Sequence, residues 1–75
     1  MTLDQTPSGG RVRVTTLSHT GAMRRRLQEI GLTQGTVVEC VGKSPLGDPH
    51  AYLIRGAVIA IRDSDARRVE VTAWD

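Results

Sequence analysis

Phenylalanine is absent from this chain, and its 75 residues include one tryptophan and one tyrosine. Proteins that hold single-stranded nucleic acid stack bases on aromatic rings, so the composition argues against such a platform. A single cysteine, Cys40, rules out an internal disulfide and fits a reducing cytosol better than a secreted scaffold. No apolar run approaches the ~20 residues that span a bilayer. The opening M-T-L-D-Q-T-P lacks the basic and apolar regions of a signal peptide. Cytoplasmic placement without direct membrane insertion is therefore expected. The formal net charge of +2 is below the excess usual in a dedicated nucleic-acid binder. A chain of this length reads as one domain over 1–75. It can bury roughly 60% of its unfolded surface, so the core is small and stability marginal.

Recognisable catalytic chemistry is lacking too. There is no G-x-x-x-x-G-K-[ST] phosphate loop, no G-x-S-x-G elbow and no pair of carboxylates facing each other on one element. Without a nucleophile, base and orienter in a plausible constellation, no catalytic residue is assigned and no enzyme is expected. No cofactor is implied. His19, Cys40, Asp48 and His50 are the candidate metal ligands, but none shows the C-x2-C or H-x3-H spacing that brings two ligands to one face. Cys40 reads as a small buried apolar residue. His50 reads as a structural or exposed residue at a strand end. His19, near a helix start, reads as locally hydrogen-bonded or exposed.

Turn residues divide what remains. Residues 11–17, R-V-R-V-T-T-L, alternate with Val12 and Val14 on one face, as a half-buried strand does. A short helix follows over about 21–30. Ser18 or Thr20 can cap it, Met23, Leu27 and Ile30 form its apolar stripe, and Gly31 ends it. Strands are expected at 36–43, 50–55 and 57–62, with Val38 facing Cys40's side and His50, Tyr52 and Ile54 sharing a face. Both faces of 36–43 are partly apolar, which suggests packing on two sides or strong curvature. A tight turn at Gly56, or one long bent strand, joins the next two. D-S-D-A-R-R (63–68) reads as a helical turn capped by Asp63, and 69–74 as the last strand. The result is a mainly β chain of five strands and one helix, best accommodated in a small barrel that removes most sheet edges.

Two features stand out against this frame. Arg24, Arg25 and Arg26 form the one charge run, with Arg24 and Arg25 directed to solvent and Arg26 beside the apolar stripe. They form a solvated face or a basic patch for an acidic or phosphate-bearing partner, which Arg11 and Arg13 can extend. In S-P-L-G-D-P (44–49), Pro45 and Pro49 stiffen a loop whose centre is the large apolar Leu46. Gly47 permits positive φ, and Asp48 can bond nearby backbone N–H groups. Leu46 either anchors a partner or folds back to plug the barrel.

R-R-R-L-Q-E-I-G-L (24–32), S-P-L-G-D-P (44–49) and R-G-A-V-I-A-I-R-D-S-D-A (55–66), in this order, resemble the motifs of the FeoA family. The likeness runs over nearly the whole chain. It implies a small SH3-like five-stranded barrel, with one short α-helix inserted after the first strand and a helical turn before the last. It also implies an accessory protein that supports ferrous iron uptake by contact with the cytosolic parts of the GTP-dependent transporter FeoB. The candidate contact residues are then Pro45, Leu46, Gly47, Asp48 and Pro49 together with Arg24 and Arg25. The alternative is a regulatory module that responds to Fe2+ or another divalent transition metal through His19, Cys40, Asp48 and His50. A weak nucleic-acid binder using Arg11, Arg13, Arg24 and Arg25 is the third reading. Two positions depart from the family pattern. Gln34 stands where proline is frequent, and His50 puts a polar ring at the barrel mouth where an aliphatic residue is frequent.

Overall fold

The computed structural model describes residues 1–74. Five antiparallel strands are present: β1 (Arg11–Leu17), β2 (Val37–Lys43), β3 (His50–Ile54), β4 (Ala57–Ile61) and β5 (Val69–Ala73). They lie in the order β4-β3-β2-β1-β5. Helix α1 (Gly21–Glu29) is inserted after β1, and the single turn α2 (Asp63–Ala66) precedes β5. Alternation puts Val12, Val14, Val38, Cys40, Tyr52, Ile54, Val69 and Val71 inside, as period-two burial requires. β2 does not pack on two sides. Its partly apolar faces are reconciled by an irregularity between Cys40 and Gly42 in its pairing with β3, which leaves Val41 exposed. Such a bulge bends a strand and helps a small sheet curl.

The end of α1 is built by a complete glycine cap. Gly31, at φ +94°, donates to the Gln28 carbonyl and Leu32 donates to the Leu27 carbonyl. Leu27 and Leu32 are both buried, which supplies the apolar contact that accompanies this motif. A Cβ at position 31 would run into the Cδ of Arg55, whose Nε donates to the Gly31 carbonyl at 3.3 Å. Arg55 is not in β3, as the strand over 50–55 supposed. It forms with Gly56 a two-residue turn in which both have positive φ, 49° and 85°, the backbone that matches the twist of a tight hairpin. At the other end of α1, Thr20 occupies the cap position but its side chain makes no capping bond; the expected cap at Ser18 or Thr20 is not formed.

The N-terminal residues cover one edge of the sheet, a role that the sequence alone did not indicate. Leu3–Gln5 form a 3-10 turn, and Leu3 is fully buried. Thr2 bridges to Glu70, and the Met1 carbonyl accepts the Val71 N–H at 2.8 Å, so this segment covers the free edge of β5. Nothing equivalent covers β4 among the described residues. The expectation that closure removes most edges therefore holds at one end of the sheet and fails at the other.

Tyr52, also fully buried, points its hydroxyl at the Leu3 carbonyl, 3.4 Å away. Burial first, then the negative charge that Cys40, Asp63, Asp4 and Asp48 would carry, pushes its phenol well above the usual tyrosine range. In the unfolded chain this group ionises near pH 10. Below that pH the neutral phenol favours neither state. Above it the unfolded state gains from ionisation and the folded state does not, so stability is expected to fall as pH rises past about 10. Urea midpoints from pH 8 to 11 measure this. The Tyr52→Phe protein should lack that part of the alkaline decline, and an identical decline would exclude Tyr52 as its source.

Candidate functional site

The 44–49 loop joins β2 to β3 and is held from inside. Gly47, at φ +85°, donates to the Ser44 carbonyl at 2.9 Å, and Ser44 donates to the Pro49 carbonyl at 3.1 Å. Pro45 and Leu46 thus occupy the two central positions of a turn, where proline's fixed φ is suited to the first. The Asp48–Pro49 peptide is cis. Asp48 does not bond within the turn, as its sequence position suggested. Its Oδ1 instead accepts the backbone N–H of Asp63 at 3.0 Å, across 15 residues. This satisfies one of the free donors at the start of α2. The residue in the cap position there is Arg62, not Asp63.

Asp63 completes a clasp. Its Oδ1 lies 2.7 Å from Nδ1 of buried His50, and the His50 ring stacks on Tyr52 with centroids 6.2 Å apart. The polar ring at the barrel mouth is therefore structural, and loop, β3 and α2 are tied at one corner. Leu46 takes no part in this. It is 94% exposed, so it does not plug the barrel. Pro45 is exposed as well, whereas Gly47 and Pro49 are half-buried.

Arg24 and Arg25 are both exposed on α1. Arg24 is not a free cation, because its guanidinium donates to the Leu17 carbonyl at 2.8 Å and ties α1 to the end of β1. Arg25 makes no ion pair or hydrogen bond among the described residues. Loop and helix are not in direct polar contact. They are connected through α2, where Asp63 holds the loop and Asp65 faces His19 just ahead of α1, with Oδ1 3.9 Å from Nε2. His19 itself is neither exposed nor locally bonded. It is buried, and neither ring nitrogen has a hydrogen-bond partner among the described residues. A histidine beside a helix start reads as polar punctuation, and only tertiary packing shows that it is enclosed.

The candidate metal ligands are dispersed. Cys40 is fully buried in the core, His50 and Asp48 are engaged at the clasp, and His19 is beside α1. Among the described residues no three His, Cys, Asp or Glu side chains converge as a metal centre. No helix among them is long and apolar enough to cross a membrane.

Comparison with known proteins places these features in context. A curated relative, the Fe(2+) transport protein A/Fe(2+) transporter FeoB fusion protein of Porphyromonas gingivalis, is 30% identical over 71 residues. The match takes in 95% of this chain but 8% of that much longer protein. The solution structure of the FeoA protein from Chlorobium tepidum superposes with a TM-score of 0.94 at 31% identity, covering 100% of this chain and 71% of that one. The zinc-complexed FeoA crystal structure from Stenotrophomonas maltophilia, described as an SH3 domain protein, gives a TM-score of 0.84 at 33% identity. It covers 96% of this chain and 89% of that one. The five-stranded barrel is SH3-like, and the FeoA domain family matches residues 1–73, so the chain belongs to the FeoA family.

Proposed function

We propose that this protein is a cytosolic accessory module of ferrous iron uptake, acting as one domain over 1–75 through contact with the cytosolic parts of a FeoB-type transporter. One observation carries the reading: Leu46 is 94% exposed at the tip of a loop whose shape is already held by the Ser44, Gly47 and Pro49 backbone bonds and by Asp48. A large apolar side chain in that position is costly to leave in water and ready to bury. A turn fixed before binding loses little entropy on docking. The fused Porphyromonas gingivalis relative supports the choice of partner, since joining two modules in one chain raises the effective concentration of each for the other.

Within the loop the roles divide. Pro45 and Leu46 are the contact residues, and Gly47, Asp48 and Pro49 hold them in place. Arg25 supplies a free positive charge on α1, whereas Arg24 contributes its charge from a tethered position. The protein performs no catalysis in this reading.

Cellular iron(II) uptake tests the function. In a strain lacking its own copy, the Leu46→Ser protein should accumulate normally yet fail to restore uptake. Restoration equal to the wild type would remove Leu46 from the mechanism.

A further inference from the structure

The edge of the sheet that the N-terminal segment leaves open is the outer edge of β4. The two-residue turn Arg55–Gly56 closes β3 and β4 on the pair Ile54/Ala57. A turn of this kind closes on a hydrogen-bonded pair, and bonded and non-bonded pairs then alternate. Tyr52/Ile59 and His50/Ile61 are accordingly bonded, whereas Leu53/Val58 and Ala51/Ala60 are not. The N–H and C=O groups of Val58 and Ala60 therefore point away from β3. No hydrogen bond among the described residues takes them up. Val58 is 65% exposed and Ala60 is exposed.

Soluble proteins guard such an edge with a lysine, a proline, a bulge or a covering element. β4 reads A-V-I-A-I, pairs with β3 in unbroken register and has none of these. Beneath the edge runs a groove between β4 and α1. Its apolar wall is Met23, Leu27, Ile30 and Ile59, and Arg26 and Arg62 line the end near α2. Neither arginine makes an ion pair among the described residues. Asp65 stands at the same end but faces His19. At the other end Arg55 and Glu29 balance in charge.

We infer that the β4 edge binds an extended segment of a protein partner, antiparallel to β4, with apolar side chains at alternate positions and a carboxylate near its N-terminal end. Main-chain bonding to Val58 and Ala60 sets the register. Because strand side chains alternate, residues flanking that register point into the groove against Met23, Ile30 and Ile59. Antiparallel pairing brings the segment's N-terminal end to the C-terminal end of β4, where Arg62 and Arg26 wait for a negative charge. This surface is separate from the 44–49 loop, and the inference stands whether or not Leu46 is a contact.

The test uses the whole protein and the synthetic peptide acetyl-Asp-Thr-Ile-Thr-Val-Thr-Gly-amide, followed by amide shifts in two-dimensional NMR. On titration the largest shifts are expected at Val58 and Ala60, with their amide exchange slowed. Ala60→Pro removes an outward N–H without breaking the bonds to β3, and proline is tolerated on an edge strand. It should weaken binding about tenfold or more, while Ala60→Thr retains it. Replacing the peptide's aspartate by lysine should also weaken binding. The inference is overturned if millimolar peptide leaves both amides unmoved, or if Ala60→Pro binds as well as Ala60→Thr. Shifts at Val58 and Ala60 that follow protein concentration in the absence of peptide would likewise overturn it, by assigning the edge to a second copy.

Discussion

Leu3→Ala is expected to lower the folding free energy by about 2–5 kcal/mol, the usual range for truncating a fully buried leucine. A chain of this length holds only about 4–11 kcal/mol in all, so the variant should lose a large share of its stability. The reason lies in what Leu3 connects. Its side chain is enclosed in the core with Tyr52 and Val71, and its carbonyl faces the Tyr52 hydroxyl. The residues around it cover the β5 edge through Thr2 and Met1. Urea unfolding followed by tryptophan fluorescence measures the loss. A change within about 0.5 kcal/mol, as expected at a surface site, would mean that the N-terminal turn is not part of the folded unit.

The second large effect belongs to the clasp. Asp63→Ala removes the acceptor beside Nδ1 of His50, a side chain 7% exposed, and leaves a buried polar atom without its partner. That costs about 1–3 kcal/mol. The backbone N–H of residue 63 remains, so the bond to Asp48 survives this change. Asp48→Ala breaks that bond instead and leaves His50 paired. The double variant should lose more loop order than either alone, because each single change leaves one tie in place. Amide exchange at Gly47 and Ser44 reads this directly. If exchange there is unchanged in the double variant, the turn's own hydrogen bonds suffice and the clasp serves α2 alone.

The strand pattern was legible because it rests on period-two burial. Val12 and Val14, Tyr52 and Ile54, Val69 and Val71 share inward faces, as alternation grouped them, whereas in β2, where both faces are partly apolar, only the fold selects the Val38 and Cys40 face. The end of α1 was legible because Gly31 is the residue that a left-handed cap favours. Residues 1–7 were not legible. One leucine amid polar residues has no period, and its burial follows from a sheet edge assembled from residues 69–73. Asp48 and Asp63 each read as local turn or cap residues, and nothing local indicates that one caps the helix that begins at the other. The same holds for Gly31 and Arg55, which lie in different motifs and meet only in the fold.

These pairings change how the resemblance to the family is understood. Gly31 with Arg55, and Asp48 with Asp63, join the three motif stretches to one another. Much of the motif pattern therefore has a structural cause that requires no partner. Leu46 is what such causes leave unexplained. It touches neither the clasp nor the core, and its exposure was undecidable from the sequence because a loop leucine packs inward or outward according to a backbone that distant contacts determine.

The measurement that bears most directly on this account is binding of the purified protein to the isolated cytosolic region of a FeoB-type transporter, by calorimetry, with thermal melts on the same samples. Burying one leucine contributes about 1.5–3 kcal/mol, so Leu46→Ser should weaken binding by at least about tenfold while its melting temperature stays at the wild-type value. Wild-type affinity in the Leu46→Ser protein would contradict the account.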